Sequence, residues 1–139
     1  MRRWKSSRST NDASTSGHDI FIWFVLSPDK LSPTALAAIQ DPNNQIFVSL
    51  VSAWEMSIKS GLGKMHLTQP IESFFEDQAQ HNQFDILPIT LAHIAAVESL
   101  PRHHGDPFDR LLIAQSMTEA MPLISADHAF DAYSLTLIR

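Results

Sequence analysis

Three carboxylates lie far apart in the chain yet in similar settings: Glu55 in "SAWEMSIK", Asp109 in "DPFDRLLIAQ" and Asp127 in "ISADHAF". Glu55 follows an apolar run at 46–50, Asp109 falls in the first turn of a long helical pattern, and Asp127 follows an apolar run at 122–125. In open parallel sheets, sites form in the crevice beyond the carboxyl ends of the strands. Three carboxylates converging there would repel, by about 4 kcal/mol for a pair ~4 Å apart at an effective dielectric near 20. Such a cluster needs protons, basic partners or a divalent cation. The chain has no cysteine, and oxygen-only donors favour Mg²⁺ or Mn²⁺ over zinc. A site of that kind can activate water and steady an in-line displacement at phosphorus, which points to phosphodiester hydrolysis.

Each acid also has a structural reading. Glu55 stands at the third helical position of a capping box opened by Ser52. Asp109 occupies the same position in its own helix, where negative charge suits the helix dipole. Asp106 reads first as an N-cap, Asp127 as the opening of a turn, and Asp131 as a surface residue. Glu72, Glu76, Asp77, Glu98 and Glu119 read as solvated helix faces. The histidines include the adjacent pair His103 and His104, with His66, His81, His93 and His128 scattered. None falls in an H-E-x-x-H spacing, so zinc is not expected. His103 and His104 would shape the loop before Asp106 or touch phosphate.

These residues need a scaffold, and the pattern supplies one. "SPTALAAIQ" offers Ser32 as N-cap and Pro33 at the first helical position. "QIFVSLVS" (45–52) reads as a buried strand. "SAWEMSIKSGLGK" then reads as a helix stopping at Gly61 or Gly63. "IESFFEDQAQH" is helical, "FDILPI" is a short strand, and "TLAHIAAVESL" is a helix capped by Thr90. "DPFDRLLIAQSMTEA" is the clearest helix, while "MPLISAD" and "SLTLIR" close with strands. Strands alternating with helices across short loops imply an α/β fold with a mainly parallel sheet.

The chain of 139 residues suits one domain able to bury a core without staples. Residues 1–17 are rich in Ser, Thr and Asn, lack apolar periodicity, and read as a disordered or non-native leader. The leader carries a net charge of +3 and the whole chain −5, which leaves about −8 on residues 18–139. An acidic body argues against generic coating of nucleic acid. No apolar run approaches the roughly 20 residues that span a bilayer, and a reducing, cytoplasmic setting fits the absence of cysteine.

"VSAWEMSIKSGLGK", "HHGDPFDRLLIAQS" and "PLISADHAF" together resemble the PIN-domain ribonucleases, specifically the VapC-type toxins of toxin–antitoxin pairs. "DIFIWFV" with "LSPTALAAI" is similar to that family's first helix and the stretch after it, so the likeness runs from about Ile20 to Arg139. The resemblance implies a PIN-like three-layer α/β/α fold, with a mainly parallel sheet of four to five strands flanked by helices. It implies Mg²⁺- or Mn²⁺-dependent RNA cleavage, homodimerisation, and silencing by a cognate antitoxin. Glu55, Asp109 and Asp127 match the family's second, third and fourth acidic positions, with Asp106 mainly a cap that helps the metal. Lys59, Lys64 and Arg110 fall where basic residues would meet RNA phosphate. Lys59 could equally form an i,i+4 pair with Glu55, and Arg110 could reach a carboxylate.

The departure is at the front. Family members open with a short apolar strand ending in aspartate, of the form L-L-D-T-H. Here Ser16 and Gly17 stand at Leu-Asp and Asp19 at the His, while "NDASTS" is a poor central strand. Either Asp19 substitutes after a shift, or the first acid is lost and catalysis is impaired. The preferred reading is the second: a VapC-like endoribonuclease with Glu55, Asp109 and Asp127 as its site and Asp19 a doubtful fourth. The competing class is a non-catalytic PIN-like remnant that binds an antitoxin or its own copy; a DNA-directed nuclease is a third option.

Overall fold

The computed structural model describes residues 2–5, 20–102, 105–125, 133 and 137–138. Five parallel strands form one sheet: β1 (Arg2–Lys5), β2 (Gln45–Ser49), β3 (Asp85–Leu87), β4 (Leu123–Ile124) and β5 (Leu137–Ile138), in the order β3-β2-β1-β4-β5. Among the described residues, six α-helices connect and cover it: α1 (Ile20–Leu26), α2 (Pro33–Gln40), α3 (Leu50–Gly61), α4 (Ile71–His81), α5 (Leu91–Ser99) and α6 (Pro107–Glu119). The α/β class with a parallel sheet flanked by helices is as expected.

Side chains alternate along a strand, and the strands bury both faces. Ile46, Val48 and Ile124 pack with Ile20, Phe21, Ile39, Phe74 and Phe75 on one side. Phe47, Leu87 and Leu123 pack with Leu111, Leu112 and Ile113 on the other. This double burial explains the unbroken apolar run in β2.

Two expectations give way here. The strand forecast over 45–52 ends at Ser49, whose hydroxyl accepts from the Val51 N–H at 3.0 Å and caps α3. Leu50 and Val51 are therefore helical, Ser52 is no N-cap, and the capping box with Glu55 does not form. The second concerns the leader. Arg2–Lys5, placed by composition in a disordered leader, is the middle strand, with Arg2 opposite Gln45, Lys5 opposite Val48, and Trp4 and Lys5 opposite Leu123 and Ile124. The reason lies in the backbone: β2 and β4 present rows of N–H and C=O groups, and any non-proline tetrapeptide can pair with both. Residues 6–19, including "NDASTS" and Asp19, lie outside the described residues.

The helix caps follow the sequence. Ser32, Thr90 and Asp106 accept from Ala35 N, His93 N, and both Phe108 N and Asp109 N, respectively. Helix α3 closes in a Schellman motif around Gly63 at φ 74°, with Lys64 N donating to Lys59 O and Gly63 N to Ser60 O. Helix α4 closes in the same way with Gln83 in the left-handed position at φ 59°.

Candidate active site

The chain passes from β1 to β2 and β3 on one side of the sheet, then to β4 and β5 on the other. The switch point therefore lies at β1 and β4, and ligands of such sheets bind beyond the strands' carboxyl ends there. Helix α3 departs from the carboxyl end of β2. Helix α6 leads back into β4, so its N-terminus lies toward that same edge.

Two of the expected acids are on these helices, and both are buried. Asp109 is 0% exposed and Glu55 is 4% exposed. Burying a carboxylate costs several kcal/mol unless charge and hydrogen bonds compensate. A solvated helix position therefore explains neither residue. Lys59 Nζ lies 3.4 Å from Glu55 Oε2, one helical turn on, and is itself largely buried. The i,i+4 pair foreseen for Lys59 is thus present, but it is drawn into the protein. Asp109 sits at the third position of a 13-residue helix, where the dipole favours its charge. Helices α3 and α6 pack against each other. The rings of Trp54 and Phe108, the residues just before the two acids, meet edge to face at 4.6 Å.

The other candidates divide. Asp106 Oδ1 receives the N–H groups of Phe108 at 2.8 Å and Asp109 at 3.2 Å, so this oxygen caps α6. Lys64 is exposed just past α3. Arg110 is buried against the end of α5. Its guanidinium donates to Pro101 O at 2.9 Å, Leu100 O at 3.1 Å and Val97 O at 3.2 Å. The helix end leaves carbonyls without intrahelical donors, and Arg110 fills that need for α5. Among the described residues its hydrogen bonds go to these three carbonyls and not to a carboxylate. Asp127 and Asp19 lie outside the described residues, as do His103 and His104.

The donor chemistry suits a hard divalent ion: carboxylate oxygens, no thiolate, and burial that makes a cation's charge useful. Among the described residues no set of three acidic or imidazole groups comes together to hold a metal. A complete site would draw on Asp127, two residues beyond the buried Ser125.

Sequence reasoning missed a buried polar group behind the acids, formed by Ser49, Gln115 and His93, all 0% exposed. Glu119, read as merely solvated, binds this group through His93. The signal was present in "LLIAQS", where a glutamine interrupts an otherwise apolar stretch.

An α/β domain with a five-stranded parallel sheet and buried acids beside its switch point is the class that fold and site define. The PIN domain family model matches residues 19–134, and the chain belongs to the PIN-domain family. Among curated proteins it is similar to ribonuclease VapC22 of Mycobacterium tuberculosis, with 27% identity over 106 residues, covering 76% of this chain and 79% of that protein. Ribonuclease VapC16 of the same organism is 34% identical over 70 residues, covering 50% of this chain and 49% of that protein. Among solved structures, VapBC2 from Rickettsia felis, bound to a DNA fragment from its promoter, shares the fold with a TM-score of 0.65. That match has 15% identity and covers 99% of this chain and 97% of that one.

Proposed function

We propose that the chain is a VapC-type toxin: an endoribonuclease that hydrolyses RNA phosphodiester bonds with Mg²⁺ or Mn²⁺ in the cytoplasm. The burial of Glu55 and Asp109 on two packed helices carries this reading, because two apolar residues would make a more stable core there. Both acids, with Asp127 from the β4 end, would hold the cation. When bound, such an ion stabilises charge developing at phosphorus and makes water a better nucleophile at neutral pH. Lys59 offsets part of the negative charge on Glu55 inside the protein. Lys64, exposed at the end of α3, is available to an RNA phosphate.

Two partners accompany this activity. A cavity of about 510 Å³ between α3 and α4 is floored by Ala53, Phe75 and Ile86 and edged by Glu72 and Glu76. An apolar floor with an acidic rim suits a basic amphipathic segment, as an antitoxin would supply. Ile58 on α3, Leu62 just past its end, and Leu91 and Ile94 on α5 are 40% to 80% exposed. Their exposure supports homodimerisation. Light scattering of the full chain should give twice the monomer mass, falling to the monomer mass in Leu62→Asp with Ile58→Asp.

The deciding experiment is RNA cleavage by the parent chain and by Asp109→Asn with Mn²⁺ present. Loss of at least ~100-fold in the variant is expected; equal cleavage by both proteins sinks the metal-site reading. A non-catalytic remnant is the second reading, favoured by the first strand. Arg2–Lys5 and the Ser residues after it carry no aspartate at the end of β1. Under that reading the parent chain binds its antitoxin but leaves RNA intact.

A further inference from the structure

Glu55 and Asp109 ride on different helices, so their relative placement depends on what locks α3 against α6. A directional chain of hydrogen bonds, centred on the buried Ser49, Gln115 and His93, does this. Ser49 Oγ donates to Gln115 Oε1 at 2.6 Å while accepting from Val51 N, so the cap of α3 is fastened to α6. Gln115 Nε2 donates to Pro88 O and to His93 Nδ1, both at 3.2 Å. His93 Nδ1 also accepts the Thr90 N–H at 3.1 Å. A ring nitrogen that receives two N–H groups carries no proton, so the proton sits on Nε2, which donates to Glu119 Oε2 at 2.8 Å. The chain runs one way, from Ser49 to Glu119, and the other tautomer would set N–H against N–H.

The spacing is symmetrical. Glu55 lies six residues after Ser49, and Asp109 six residues before Gln115, about 9 Å along each helix. Residues 111–114 of α6 are apolar and buried. Apolar groups of equal size in place of Gln115 and its partners would cost the core little, and would leave helix phase to be decided by side chains that slide. Directional bonds do not slide. We propose that Gln115 and His93 are positioning residues for the Glu55–Asp109 carboxylate pair, fixing the phase of α3 against α6. The proposal rests on the reading of that pair as a cation site.

The test is calorimetric titration of Mn²⁺ into the full-length chain and its variants, with folding checked by urea unfolding. Asp109→Asn should abolish binding. Gln115→Glu, which keeps the shape but loses the two N–H donors, and His93→Leu should each weaken it about 10-fold. His93→Asn, whose Oδ1 can replace Nδ1 as acceptor, should recover affinity to within about threefold of the parent chain. If His93→Leu does not fold, the isosteric Gln115→Glu carries the comparison. Parent-like affinity in Gln115→Glu and His93→Leu, with none in Asp109→Asn, overturns the positioning role and leaves the site intact. Equal binding by Asp109→Asn, or none by the parent chain, overturns the site reading and the proposal together. Equal weakness in His93→Asn and His93→Leu also counts against it, as does an imidazole ¹⁵N spectrum with the proton on Nδ1.

Discussion

Helices α3 and α4, of 12 and 11 residues, are neighbours that both bury apolar side chains but differ in what else they bury and expose. Helix α4 buries Phe74, Phe75 and Ala79 and exposes Glu72, Glu76 and Asp77, as burial energetics require of a surface helix. Helix α3 buries Glu55, draws Lys59 mostly inside, and exposes Leu50, Trp54, Ile58 and Leu62 at or just past its end. These four residues recur every fourth position and form one stripe along the helix. Stability alone accounts for α4. Burying a carboxylate beside Val51 and Met56 while exposing an apolar stripe is costly, so α3 reflects a site on its inner side and association on its outer side.

Substitutions can break this contrast, beginning with the helix built for stability. Phe75→Ala in α4 should destabilise the fold by about 3–5 kcal/mol, read from urea unfolding, with activity per folded molecule unchanged. Glu55→Gln in α3 should do the reverse. Cleavage should fall at least ~100-fold, a barrier increase of about 2.7 kcal/mol, and with Lys59→Met added, so that no lysine is left unpaired, the unfolding midpoint should hold or rise because the buried ion pair is gone. A Glu55→Gln, Lys59→Met protein that is both active and less stable than the parent would place α3 in the same class as α4.

Arg110 tests whether burial of charge by itself marks a site. Arg110→Met should cost about 1.5–3 kcal/mol through lost charge-assisted bonds to the end of α5. RNA affinity per folded molecule should be unchanged, and selective loss of that affinity would return Arg110 to the substrate.

The smallest effects belong to the helix ends. Gln83→Gly at the close of α4 should stabilise by about 0.5–1 kcal/mol, because the left-handed position penalises a Cβ. Gly63→Ala at the close of α3 should cost about the same, through backbone conformation alone, since a Cβ there meets nothing within 4 Å. Thermal denaturation of the two variants measures both.

The sequence by itself determined the helix and strand order from Ser32 onward, the caps at Ser32, Thr90 and Asp106, and the class of sheet, because these depend on neighbours three or four residues away or on alternation within a strand. It also singled out Glu55 and Asp109, though without separating a capping carboxylate from a buried one. Only the tertiary structure decided that. Burial depends on what α3 and α6 pack against, which no local pattern encodes, and the same packing turned Arg110 toward α5 and joined His93 to Gln115. It also made a central strand of Arg2–Lys5, whose composition spoke against one, because two adjoining strands needed their backbone groups paired.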